Sequence, residues 1–357
     1  MENKNTLDFM SQGKDNNLNL VRLFAALMVV YMHSFALCEG KLESDLMYTL
    51  TFHKALSGQV GVDIFFVISG FLIYRSYDRS NNIGKYLRAR FLRIWPLLAL
   101  FILSTAFVIG PAISTLSPKE YFSQDIKGYL LNLVFYHNNT TLPGVFEHHI
   151  NHSVNGSIWT LQYEVLCYIL VLFLVPILRK YKKMIFPLIA LSAAVYLFFT
   201  YAWTEERFFI LSTIILVNLG RLSLQFEMGI LFYIFRDKII LSWKWFSAAV
   251  IGIVAASYFI DYEIAFAAFG SYIVLYLGFN YYGASRLYNK VGDISYGVYV
   301  LSFLVQQLVL DWLGVVPYGY RAPNMNSYIN FIISTAIVIP LAFISWHCFE
   351  KHILKLK

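Results

Sequence analysis

Apolar residues run through this chain in long blocks separated by short polar stretches. A helix rises about 1.5 Å per residue, so about 20 apolar residues cross ~30 Å of hydrocarbon. Blocks of that length lie near 18–38, 59–77, 95–114, 158–178 and 184–203, and again near 208–236, 242–260, 262–280, 293–313 and 326–348. The pattern predicts an all-α, polytopic integral membrane protein with about ten transmembrane helices. The sixth block is longer than a span needs, and reads as a long tilted helix or a span preceded by an interfacial piece. The run 128–136, "GYLLNLVFY", is too brief to cross and reads as interfacial or re-entrant. No repeat, heptad pattern or fused soluble domain interrupts the series, so residues 1–357 read as one transmembrane domain. Residues 1–17 form a polar lead with no signal-peptide pattern, and 115–157 is the longest loop.

Charge orients the blocks. Only 14% of the residues are charged, against about 25% in soluble domains. Basic residues gather in alternate loops: Arg75, Arg79, Lys85, Arg88, Arg90 and Arg93, then Arg179, Lys180, Lys182 and Lys183, then Arg236 and Lys238, then Arg286 and Lys290, then Lys351, Lys355 and Lys357. The other loops hold only Lys41, Lys54, Lys119, Lys127, Arg207 and Arg321. Positive charge marks the cytoplasmic side, which predicts both termini cytoplasmic and 115–157 outside. The net charge of +7 is thus a topology signal, and nucleic acid is not an expected partner. Cys38, Cys167 and Cys348 have no redox or metal spacing and read as small packing residues.

Ionisable groups at bilayer depth cost ~2.5–3.5 kcal/mol or more and commonly line a working cavity. Arg22 and His33 share the first block, and eleven residues is about three helical turns, so both project from one face about 16 Å apart. Histidine transfers protons near neutral pH, which favours a site over a packing pair. Asp63, Glu164, Arg221 and Glu227 are the other buried candidates; for each, an interhelical ion pair or snorkelling to the interface is the plain alternative. Arg90 and Arg93 lie three apart at the mouth of the third block and can fork one phosphorylated group, although positive-inside charge explains their neighbours equally well. Gly58, Gly61 and Gly70 suit close helix approach. Ser69 lacks the strand–turn–helix context of a nucleophile and reads as an interhelical hydrogen-bonding group. His137, His148, His149 and His152 suggest a metal only by number, without a third ligand at usable spacing, so no metal is expected.

Five ordered stretches, "NLVRLFAALMVVYMH", "GVDIFFVISGFLIY", "YLRARFLRIWP", "GSIWTLQYEVLCY" and "VGDISYGVYVLSF", closely resemble the acyltransferase family 3 membrane proteins. The resemblance covers about Asn17 to Glu350. The family's first-span arginine and histidine match Arg22 and His33, and its paired arginines match Arg90 and Arg93. The resemblance implies O-acyl transfer, usually of acetyl, from cytoplasmic acyl-coenzyme A (acetyl-CoA as donor) to a sugar hydroxyl. The implied acceptor is a bacterial surface polysaccharide or its lipid-linked precursor, and the implied place is the inner membrane. One motif departs: where the family commonly has Tyr-Leu-x-His-x-Pro, this chain has Ser302 and Leu304, so no catalytic role carries over there.

On this reading Arg90 and Arg93 hold the donor's phosphates with Arg22 deeper, and His33 is a general base or a covalent acyl carrier. Asp63 or Glu164 is expected to set the imidazole tautomer. Direct and relayed transfer stay open. The competing class is a proton-coupled transporter, which buried Arg, His, Asp and Glu also describe; the absence of an inverted repeat and the arginine pair weigh against it.

Overall fold

The computed structural model describes residues 5–13, 15–136, 139–202, 210–280, 285–313 and 325–357. Ten long helices carry the architecture: α1 Leu18–Cys38, α2 Ser57–Ser80, α3 Ile83–Ser104, α4 Thr160–Lys180, α5 Ile185–Leu197, α6 Ile210–Ile234, α7 Trp243–Phe259, α8 Tyr262–Phe279, α9 Ser295–Trp312 and α10 Ser327–Ser345. Among the described residues there is no sheet, only an isolated bridge between Thr6 and Ile240. Among the described residues, eight helical segments are long and apolar enough to cross a membrane. The other two of the ten expected blocks fall short of that standard. α7 has only 17 residues, and α9 is diluted by Gln306, Gln307 and Asp311.

The third block begins twelve residues before its apolar run. Asn82 caps α3 by accepting the Lys85 N–H, so the basic stretch 84–93 is the first part of the spanning helix. Pro96 lies inside that helix. The short run near 128–136 does not cross: it forms a four-residue helix, Lys127–Leu130, followed by a 3-10 turn, Leu131–Val134.

α2 is the centre of the bundle: 72% of its apolar window is buried, against 17% for the segment containing α5. It packs chiefly on α6 and α1, while α9 packs on α10 and α1. Glycine makes the α2 contacts possible. A Cβ on Gly61 would meet the Ala25 carbonyl oxygen at 2.5 Å, and one on Gly70 would run into the Phe226 carbonyl of α6. Gly229 faces the Val67 carbonyl in the same way. Backbone thus approaches backbone where lipid supplies no hydrophobic drive and packing must hold the helices.

A buried ionic cluster joins α2 to the α6 and α8 pair. Arg221 lies 2.8 Å from Asp63 and 2.7 Å from Glu263, and donates to the Gln59 carbonyl. At one end of the bundle, Asp8 of the lead pairs with Arg236 and Asp78 pairs with Arg179. The N-terminal lead from Asn5 onward and Lys357 both lie at this end, here called the termini end, with Leu7 buried beneath the 236–241 turn. At the far end, the long loop is tied to α9. The His149 ring meets Gln307 Oε1 at 2.7 Å and Asp311 Oδ1 at 2.8 Å, while Gln307 donates to the Asn151 and Ser153 carbonyls.

Candidate active site

At the termini end, Arg22 of α1, Arg90 and Arg93 of α3 and Lys357 line one cavity of about 240 Å³. Arg90 and Arg93 share a helix face, as their spacing predicts. Arg22 and Arg93 both pair with Asp293 Oδ2, Arg93 at 2.5 Å. Ser295 donates to the other oxygen through its hydroxyl and its N–H. Burial by itself raises the Asp293 pKa, but the two guanidiniums and Ser295 outweigh it and hold the carboxyl down at about 2. Arg90 has no carboxylate partner among the described residues; its guanidinium lies 5.9 Å from the Tyr86 ring centre and 5.8 Å from that of Tyr168. Of the three arginines it is the one without an ion pair among the described residues, and so the one most open to an incoming anion. Burial, and then the neighbouring Arg90, Arg93 and Arg22, push the Lys357 ammonium down to about 8.

A second, narrower space of about 40 Å³ adjoins this cavity within the bundle and is called the passage below. Arg22, Ser69, Arg93 and Glu164 line both spaces. Thr160 and Tyr299 line the passage and join hydroxyls at 2.6 Å. Tyr299 also donates to the Ser157 carbonyl at 2.5 Å. Ser157 Oγ in turn lies 3.4 Å from His33 Nδ1. His33 is buried, its ring edge-on to Phe303 with centroids 5.0 Å apart. The chain of contacts from the cavity therefore runs through the passage and a hydroxyl layer to the imidazole.

The structure brings Arg22, Arg90, Arg93 and Glu164 around connected spaces and places His33 beyond them. It separates Asp63 from this group. Expected to set the His33 tautomer, Asp63 instead bonds Arg221 within the α2–α6–α8 cluster, where the buried guanidinium is the counter-charge it shares with Glu263. Glu164 does not hydrogen-bond His33 either; it accepts from the Tyr168 hydroxyl. Ser302, standing where the resemblance led to a histidine, is fully buried, and its hydroxyl has no hydrogen-bond partner among the described residues. Among the described residues no group of three His, Cys, Asp or Glu side chains is arranged to hold a metal ion. His137, Arg207 and Arg321 lie outside the described residues.

Sequence reasoning passed over Asp293, Ser157, Thr160, Tyr299 and Lys357. A cue existed for two of them. Asp293 and Ser157 each stand immediately before an apolar block, inside the stretches "VGDISYG" and "NGSIW".

Comparison with known proteins gives the family. A family model described as an acyltransferase domain matches residues 15–347. An O-acetyl transferase of Shigella phage Sf6 is 30% identical over 352 residues, which covers 96% of each chain. Nodulation protein 10 of Rhizobium leguminosarum bv. viciae is 27% identical over 373 residues, covering 97% of this chain and 95% of the relative. No solved structure matches. With its apolar helices and a family match spanning nearly its whole length, the chain belongs to the acyltransferase family 3 membrane proteins and is an acyltransferase acting on hydroxyl groups.

Proposed function

We propose that the protein transfers acetyl from acetyl-CoA, bound from the cytoplasm, to a hydroxyl of a surface polysaccharide or its lipid-linked precursor, in the inner membrane of a bacterial envelope. One observation carries the reading: three arginines and a lysine converge on a cavity at the termini end, and a narrow adjoining space is lined by Thr160 and Tyr299, which lie next to the Ser157–His33 pair. The positive loops favour the cytoplasm for that end. A cavity rich in guanidinium suits the phosphates of coenzyme A, and a narrow passage suits a single extended thioester arm. The 30% identical relative is named an O-acetyl transferase, which favours acetyl as the group moved.

In this mechanism Arg90 takes the first phosphate contact, because Arg22 and Arg93 are already neutralised in part by Asp293. His33 removes the acceptor's hydroxyl proton as the oxygen attacks the thioester carbonyl. The carbon–sulfur bond breaks, and the coenzyme thiolate leaves and takes up the proton. The hydroxyl layer of Thr160 and Tyr299 separates the passage from His33, so it must open for the thioester to reach the imidazole.

The test is incorporation of labelled acetyl from acetyl-CoA into glycan by purified, monodisperse protein in proteoliposomes. His33→Ala is expected to lower kcat by about 10²–10⁴-fold, as loss of a general base does, with donor binding kept. Arg93→Lys loses a planar fork and is expected to raise the donor KM about tenfold, the cost of one charge-assisted contact. Near-normal turnover by His33→Ala, or label that never reaches glycan, would overturn the reading.

A further inference from the structure

We propose that Ser157 is the positioning residue for His33: its Oγ accepts the Nδ1–H, so that Nε2 presents its lone pair as the base. The inference rests on the reading of His33 as general base and adds what orients it. Ser157 Oγ lies 3.4 Å from His33 Nδ1, both residues are buried, and neither side chain has another hydrogen-bond partner among the described residues. A distance of 3.4 Å is long for such a bond, as catalytic contacts commonly are before substrate arrives.

The peptide that carries Ser157 is held on every side. Asn155 Oδ1 accepts the Ser157 N–H at 2.8 Å, and Asn155 Nδ2 donates to the Val300 carbonyl at 2.7 Å. Tyr299 holds the Ser157 carbonyl. Between them, Gly156 leaves room for Phe303: a Cβ there would meet that ring at 2.6 Å. Phe303 is also the ring that stands edge-on to His33. One helix, α9, therefore fixes both the imidazole plane and the hydroxyl that faces it. A carboxylate in place of Ser157 would orient the ring too, but at the cost of a buried charge beside an apolar helix. Serine fixes the tautomer without that cost.

The experiment compares wild type with Ser157→Ala, Ser157→Thr and His33→Gln, each purified and monodisperse. The first readout is ¹⁵N NMR of histidine-labelled protein, with the His33 ring signals identified by their loss in His33→Gln. The expected wild-type spectrum shows Nδ1 protonated and Nε2 bare. In Ser157→Ala that preference is lost, and Ser157→Thr restores it. The second readout is acetyl transfer: Ser157→Ala should lower kcat about tenfold to a hundredfold, part of the 10²–10⁴-fold that a positioned general base supplies, with donor KM little changed and rescue by threonine. Protonation at Nε2 in wild type, or a Ser157→Ala protein with unchanged tautomer and rate, would overturn the proposal. Should Ser157→Ala not fold, the wild-type spectrum and Ser157→Thr still decide it. Turnover by His33→Gln would instead remove the general-base reading, a separate failure that leaves the tautomer measurement standing.

Discussion

At the scale of single residues, the termini-end cavity is governed by Asp293. Its carboxyl serves Arg22, Arg93 and Ser295 together, and removing it would leave two half-buried guanidiniums uncompensated. Its pKa is depressed, from 3.8 to about 2. A depressed carboxylate adds stability above its unfolded pKa and loses it as pH falls through the folded one. That contribution, about 2 kcal/mol, should therefore be complete above about pH 4 and disappear toward pH 2. Thermal unfolding followed across this range should show a steeper acid loss in wild type than in Asp293→Asn; parallel curves would deny Asp293 that role. Lys357 gives a second dependence, of opposite origin. Its folded pKa is lowered to about 8 by burial and by three arginines, so its charge disappears as pH rises past that value. For donors held by their phosphates, kcat/KM should decline above about pH 8, and Lys357→Arg should flatten that limb. A limb that persists in the arginine variant would assign it to another group.

Helices meet in this bundle through residues that carry no chemistry. Gly70 of α2 and Gly229 of α6 let two backbones touch, and an added methyl at Gly70 has carbonyl oxygen to displace. Gly70→Ala should therefore lower the melting temperature and the monodisperse yield more than Gly84→Ala, where the new Cβ meets only an Asn82 side-chain atom at 3.6 Å. Equal behaviour of the two variants in thermal size-exclusion would refute close packing as the reason for glycine. The helices themselves were legible, because a span is written in a run of about 20 apolar residues. The shared face of Arg90 and Arg93 was legible for the same kind of reason, helical periodicity. The partners were not. Asp293 finds Arg22 and Arg93 across 271 and 200 residues, and Ser157 finds His33 across 124. Such pairs are set by how helices stack, and local spacing does not encode that. Asp63 shows the converse: its motif was conspicuous, but its partner, Arg221, lies on a helix that periodicity does not join to it. The start of α3 was misjudged because apolarity begins later than helicity does; the cap at Asn82 and the basic turns after it precede the lipid-like run.

Over the whole molecule, a cavity at the termini end, a passage inside and a histidine beyond them lie in series. The hydroxyls of Tyr299 and Thr160 meet at the passage, and Tyr299 is latched in turn to the Ser157 carbonyl. A helix bundle that keeps open space inside a bilayer runs the risk of becoming a pore. Here the joined hydroxyls of Thr160 and Tyr299 close the inner end of that space, and Phe65 packs against the Tyr299 ring beside them, with centroids 5.9 Å apart. The consequence is electrical tightness at rest: proteoliposomes bearing the protein should hold an imposed proton gradient as long as empty vesicles do. Tyr299→Ala removes both the latch and the ring, and vesicles carrying it should dissipate the gradient faster in a pH-dye assay. If those vesicles stay as tight as wild type, the seal lies elsewhere; if wild type leaks, this bundle does not insulate the membrane it works in.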